Sequence, residues 1–318
     1  MTEGHLNKER GCPAAARAGI IRAALMLLVF LFSLGGQGFC QEQEETRLYQ
    51  QGSKYCMDSK WSAAAVSFER LLSRHPATRY ADARFWLGYS YVEMEKFKEG
   101  IDTLERFARE HPSNSYAAQA LYKVGEVYEK RLKDYDSALQ AYDRVVNTYP
   151  GNTAAMPAVK NQAMIYSQQK FDYSKAIERF ERSKSLAQEQ GISSQSGYFQ
   201  KADQRIRFIR ENSDYGYEPL KIFSMGMNKE EDRRWNEAVG IYETLLRKYP
   251  KANIADDAEY RLISCLVSLN RKGEAAERAR AFLEKYARSP HSGKIRAILQ
   301  NVEEKRGDFP QKGTLYFV

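Results

Sequence analysis

The side chains that most often do chemistry are sparse here. Four histidines (His5, His75, His111, His291) and four cysteines (Cys12, Cys40, Cys56, Cys265) are spread over 318 residues. His75 and His111 each stand before a proline, where a helix is expected to stop. At a helix C-terminus the exposed carbonyls favour a partial positive charge, so capping is the better reading of both rings than catalysis or metal ligation. No nucleophile motif, paired-carboxylate motif, phosphate loop or metal-ligand spacing occurs. Gly35-Gly36-Gln37-Gly38 has no helix after it and cannot cradle a phosphate. Arg306-Gly307-Asp308 matches an adhesion tripeptide, and three-residue matches are cheap. The expectation is a protein with no catalytic residues, no cofactor and no metal.

What recurs instead is aromatic. Trp61, Phe97 and Tyr135 lie 36 and 38 residues apart, and each is set in the same local pattern. Gln51-Gly52-x-x-Tyr55 precedes Trp61, Leu87-Gly88-x-x-Tyr91 precedes Phe97, and Val124-Gly125-x-x-Tyr128 precedes Tyr135. After each aromatic comes a small residue (Ala64, Gly100, Ala138), then a large one four further on (Phe68, Leu104, Tyr142), then His75-Pro76, His111-Pro112 or Tyr149-Pro150. A period of this length signals stacked supersecondary units. A glycine inside a helix costs about 1 kcal/mol against alanine, so its recurrence at one phase requires a close helix crossing. The prolines end each second helix.

A fourth unit follows the same plan through Ala163, Tyr166, Tyr173, Ala176, Ile177 and Phe180, without a proline stop. Residues 191–197 read as a loop, and residues 198–212 as an extra helix with Phe199, Ala202, Ile206 and Ile209 on one stripe. The period resumes with Gly226, Trp235, Ala238, Tyr242 and Tyr249-Pro250. A weaker sixth unit has Ile263 in place of the glycine and Ala279 in place of the large ring. A closing helix over 292–306 and an irregular tail complete the chain. The expected organisation is 1–40 leader, 41–190 four repeats, 191–216 insertion, 217–305 two repeats and the closing helix, 306–318 tail.

The net charge is +8, of which the leader's Lys8, Arg10, Arg17 and Arg22 against Glu3 and Glu9 supply +2. Elsewhere basic and acidic residues alternate, which describes a solvated surface and gives no sign of nucleic-acid binding. Residues 23–34 are apolar but for Ser33, follow Arg22 and precede Gly35, Gly36 and Gly38. That is the layout of a secretory signal, too short for a comfortable membrane span. Three outcomes stay open: cleavage after Gly38 or Cys40, lipidation of Cys40, or retention as an anchor. All three put the repeats outside the cytoplasm. Gln37 and Phe39 before Cys40 depart from the usual lipidation pattern. Cys56 and Cys265, in the first and sixth repeats, lie too many helices apart for a disulfide and are expected as free, helix-buried thiols.

The order small-x-x-Tyr, aromatic, Ala, Phe/Tyr, Pro resembles the tetratricopeptide repeat (TPR) over roughly residues 46–190 and 217–288. The unit length and the His/Tyr-Pro ending are similar to the exported BamD-like and CpoB-like types. The resemblance implies an all-α solenoid of about six antiparallel helix pairs, a TPR superhelix whose first helices line a concave face. It places Tyr49, Phe85, Tyr122, Lys160 and Phe223 on that face, with Trp86 and Tyr89 beside Phe85. Tyr49, Phe85, Trp86, Tyr89, Tyr122 and Phe223 are the candidate partner-binding residues. The competing reading packs these rings against the neighbouring helix. By the same register Glu93, Glu126, Glu129, Glu230 and Glu231 face the groove and suggest a basic partner segment. The function implied is an exported, periplasmic scaffold for protein–protein contacts in the cell envelope. The alternative is an accessory subunit of a solute-uptake system, with the insertion at 191–216 docking a binding protein or shaping a ligand cavity.

Overall fold

The computed structural model describes residues 41–304, and every described element is helical. The expected leader and tail lie outside these residues. Helix α1 covers residues 41–57. It is followed by α2 (Trp61–Arg74), α3 (Ala83–Glu93), α4 (Phe97–Glu110) and α5 (Ala117–Glu126), which continues as a π-helical turn, Val127–Leu132. Then come α6 (Tyr135–Thr148), α7 (Ala155–Gln168), α8 (Tyr173–Glu189), α9 (Gly197–Glu211), a 3-10 turn (Asp214–Tyr217), α10 (Glu218–Glu231) and α11 (Trp235–Lys248). Helices α12 (Ala255–Ser268), α13 (Lys272–Lys285) and α14 (Ser292–Glu304) complete the series. The fold class is the expected one: an all-α solenoid built from helix hairpins.

The chain forms two compact units that divide between Ala120 and Leu121, inside α5. In the first, Leu48, Ala64, Ala65, Phe68, Leu71, Ala83 and Leu87 join α1, α2 and α3 in one core. In the second, a single core runs from Ala163 on α7 through Tyr173 and Phe180 on α8 to Ile295 on α14. The insertion belongs to it. Phe199, Ala202, Ile206 and Ile209 are buried as the stripe predicts, and the last three pack with Leu220 and Phe223 of α10.

Glycines govern the hairpins, with one refinement of the expectation. A Cβ on Gly52 would stand 2.7 Å from the Phe68 ring, one on Gly88 2.8 Å from Leu104, and one on Gly125 2.5 Å from Tyr142. One on Gly226 would run into Tyr242. The first obstacle is thus the large side chain of the opposite helix, rather than its backbone. In the second hairpin both crossing positions are glycine: a Cβ on Gly100 would meet Val92 at 2.7 Å and the Gly88 carbonyl at 3.2 Å. The sixth hairpin inverts the arrangement. Ile263 and Ala279 are both fully buried, so the bulk sits on the first helix and the small residue on the second.

Each first helix ends through a left-handed residue: Ser59, Glu95, Lys133, Phe171, Arg233 and Asn270, all with φ between 54° and 61°. None is glycine. In four hairpins the next N–H donates to the carbonyl five residues back, as Lys96 does to Tyr91 at 2.9 Å. The third and fourth hairpins carry one extra residue between the small residue and the leading aromatic (Gly125 to Tyr135, Ala163 to Tyr173). There the bond reaches six back, Asp134 to Tyr128 and Asp172 to Tyr166, both 2.9 Å. In the third hairpin the surplus is taken up by the π turn, the usual way one inserted residue is absorbed without breaking a helix. Both of these hairpins start the second helix with an aspartate cap, Asp134 accepting from the Ser137 N–H and Asp172 from that of Lys175.

Candidate functional site

The aromatic residues three before each glycine are placed by the same register, and the structure shows what they touch. Tyr49 meets the Phe68 ring at 6.2 Å, Tyr122 meets Tyr142 at 5.6 Å, and Phe223 meets Tyr242 at 5.8 Å. Each is a tilted or edge-on contact with the large ring of its own hairpin, the geometry in which aromatic quadrupoles attract. Phe223 is 4% exposed and also faces Phe208 of α9. Phe85 is 5% exposed and packs on Phe107 and, stacked at 4.8 Å, on Tyr116. As groove-lining contacts, Phe85 and Phe223 are therefore corrected: both are core rings. A helical register fixes which face a side chain starts from but not whether a neighbour covers it. Lys160 is exposed.

The half-buried rings are Tyr49, Trp86, Tyr89 and Tyr122. In the first unit α3 gathers Trp86 and Tyr89 around Phe85, at 5.0 and 6.3 Å. Two rings the register did not single out complete the cluster: Trp61 lies 5.7 Å from Tyr89, and Tyr116 lies 5.6 Å from Trp86. The leading aromatic of one hairpin thus touches the first helix of the next, a signal visible in the sequence only as the recurrence of Trp61. Tyr49 stacks on Tyr80 at 4.1 Å and donates its hydroxyl to Asp82 at 2.5 Å. Burial and that carboxylate push its phenol well above the ordinary range.

The glutamates expected along the groove are largely engaged by internal partners. The Tyr142 hydroxyl donates to Glu129 at 2.6 Å, and the Tyr242 hydroxyl donates to Glu230. Glu230 also pairs with Arg261 at 3.2 Å, and Glu126 pairs with Lys130. Glu129 and Glu230 each stand four residues after a glycine, and each faces the tyrosine ring seated on that glycine. Burial raises the Glu129 pKa against the opposing effect of the Tyr142 hydroxyl. Asn161 closes the network, its amide donating to Tyr142 at 3.0 Å and to Tyr122 at 3.2 Å. Tyr122 is therefore held in place by Asn161 and the Tyr142 ring.

His75 and His111 occupy the C-cap positions of α2 and α4, as read from the sequence. The His75 ring is buried, with Nε2 3.9 Å from Glu44. Cys56 and Cys265 are free. Cys265 is buried, and burial with Glu230 nearby raises its thiol to about 12. Cys56 is only half-buried, 3.8 Å from the Ser90 hydroxyl. Among the described residues no cluster of His, Cys, Asp or Glu could hold a metal, and no helix is long and apolar enough to cross a membrane.

A family model described as YfiO, outer membrane lipoprotein, matches residues 41–213, from α1 to the end of the insertion. The chain belongs to the YfiO family. A tetratricopeptide-repeat model matches residues 222–252, which hold most of α10 and all of α11. The BamD-like type of TPR protein expected from the hairpin endings is thus the family found. Solved structures with similar folds include a tetratricopeptide repeat protein from Parabacteroides merdae (13% identity, 82% of this chain and 99% of that one, TM-score 0.47). Another is pilF of Pseudomonas aeruginosa (17% identity, 83% and 99%, TM-score 0.36). A third is MamA (21% identity, 47% and 81%, TM-score 0.40). No curated protein matches significantly. As a YfiO-family repeat protein the chain is of the scaffold type, a framework for protein–protein contacts.

Proposed function

We propose that this protein is an exported, non-enzymatic TPR scaffold that holds other envelope proteins, and that it works on the periplasmic side of a membrane. The observation that carries the reading is the YfiO match over α1 to α9 on a chain whose residues 1–40 have the layout of an export signal. The half-buried rings of α3 support it. Trp86 and Tyr89 offer rigid apolar surface at little entropic cost, which is how aromatic anchors earn their place at interfaces. The partner is an extended or helical segment of another envelope protein. With Glu129 and Glu230 already engaged, its selection rests on shape and aromatic contact more than on a basic charge.

The test is a pull-down from cross-linked cells with wild type and Trp86→Ala/Tyr89→Ala. A several-fold loss of specific partners from the variant supports the reading; equal recovery of the same partners from both removes the α3 surface from it. The alternative, an accessory subunit of a solute-uptake system, has the insertion dock a binding protein or shape a ligand cavity. The cavity form has less support, because α9 fills its place with packed Ala202, Ile206 and Ile209.

A further inference from the structure

Within the stack, the second helix of one hairpin covers the first helix of the next: α2 lies on α3, α6 on α7 and α11 on α12. The residue before the glycine, or before its equivalent, goes under the cover, and Leu87, Gln162 and Leu262 are buried there. Twice the covering helix brings an acid, on the residue after its large ring. Glu69 accepts from the Tyr91 hydroxyl at 2.7 Å, and Asp143 accepts from the buried Gln162 amide at 2.7 Å. Helix α1 has the same receiving residues and no described helix over them. Gln51 stands where Gln162 stands, and Tyr55 where Tyr91 stands. The Gln51 amide donates to the Tyr55 hydroxyl at 3.3 Å, and neither meets a carboxylate among the described residues. Both line a surface pocket of about 540 Å³, with Leu48 on α1 and Trp61, Val66 and Arg70 on α2. No acid lines it. Lys60 at its edge is held by Asp58, whereas Arg70 has no ion pair among the described residues. Val66 is 44% exposed. At its place the other hairpins carry Asp102, Gln140, Glu178, Gly240 and Glu277, none with an apolar side chain. An end of the stack that met only water would be polar there too.

We propose that this face of α1 and α2 takes an acidic amphipathic helix of another protein, seated as α2 is seated on α3. Two observations select that occupant. One is continuity: the site repeats a seam that the fold already closes with a helix inside its own stack. The other is charge. Gln51, Tyr55 and Arg70 bring N–H and O–H donors to a pocket without an acid, and a carboxylate placed as Glu69 or Asp143 is placed accepts from them. A second copy stacked end to end does not fit. The last second helix, α13, is itself covered by α14, through buried Ile295 and the Arg280–Glu303 pair, and Arg280 stands where the acid belongs. The proposal rests on the scaffold reading only for where its partner is sought.

The test installs the photo-crosslinker benzoylphenylalanine in place of Val66 in the full chain, with Asp102, its exposed equivalent one hairpin on, as the control position. Cells are irradiated and adducts are mapped by mass spectrometry. The expected result is an adduct from position 66 and not from 102, on a segment of another protein with helical periodicity and an Asp or Glu beside its apolar stripe. Gln51→Glu in the same chain is expected to lower that adduct several-fold, and Gln51→Lys to keep or raise it. Opposite signs at one exposed residue cannot come from misfolding. Arg70→Glu is expected to follow Gln51→Glu. An adduct indifferent to these charges, one on a segment without an acid, one shared with position 102, one with this chain's own residues 1–40, one with a second copy, one with lipid, or none at all overturns the proposal. The pull-down through Trp86 and Tyr89 is a separate measurement, so the scaffold reading stands or falls on its own.

Discussion

Gly125 and Tyr142 share one space. Alanine at 125 gains helix propensity of about 1 kcal/mol. Its methyl, however, would lie 2.5 Å from a fully buried ring, and overpacking of that kind costs about 1–3 kcal/mol. Gly125→Ala is expected to unfold at lower urea than wild type despite the better helix former. The hydroxyl of the same tyrosine gives a pH test. Glu129 is held above the ordinary carboxylate range by burial, and its bond from Tyr142 opposes that shift. A carboxyl whose pKa is raised on folding binds more protons in the folded state, so it subtracts stability as pH rises through the raised value. Tyr142→Phe removes the opposing bond and leaves the carboxylate under-satisfied, at about 1–3 kcal/mol. The loss measured by urea unfolding is expected to be larger near pH 8 than near pH 5, because protonated Glu129 has less need of the donor. The glycines and rings were legible in the sequence from their period. The Tyr–Glu pairs were not, because the partners belong to different helices and only two hairpins have both.

Among elements, the six left-handed joints are the least relaxed feature. A non-glycine residue in that region costs about 1–2 kcal/mol, part of which glycine regains against its greater freedom when unfolded. Glu95→Gly, at an exposed joint, is expected to raise stability by about 0.5–1 kcal/mol in thermal unfolding. The joints were invisible beforehand, since no glycine or proline marks them; what sets the left-handed turn is the bond back over the helix end. The π turn was hidden for a related reason, as one surplus residue between Gly125 and Tyr135 reads as a longer loop. The sixth hairpin looked degenerate by its sequence, yet Ile263 and Ala279 are both fully buried. Either Ile263→Gly or Ala279→Tyr alone is expected to destabilise by about 2–4 kcal/mol, through a void or a clash. The double variant, which reproduces the fifth hairpin's pattern, is expected to recover part of the loss in a double-mutant cycle.

At the scale of the whole molecule, the insertion that interrupts the period is a structural member of the second unit. Ile206 lies in one core with Phe180, Leu220, Phe223 and Leu245. Ile206→Ala is expected to cost about 2–5 kcal/mol in urea unfolding and to lower hydrogen-exchange protection in α10 and α11. The apolar stripe announced α9 correctly, since one buried face needs only helical spacing. The candidate site was less legible. Phe85 and Phe223 are as aromatic as Trp86 and Tyr89, and only the presence of Tyr116, Phe107 and Phe208 over them decides which rings remain accessible.

The reversed bulk of the last hairpin bears on descent. A lineage that moves volume from α13 to α12 cannot do so in one codon; it passes through a generation with either too much side chain or too little. The underfilled ancestor is the more survivable, because neighbours can settle into a gap but cannot retreat from a ring. Relatives that keep glycine at the first of these sites and alanine at the second would be the living record of that passage.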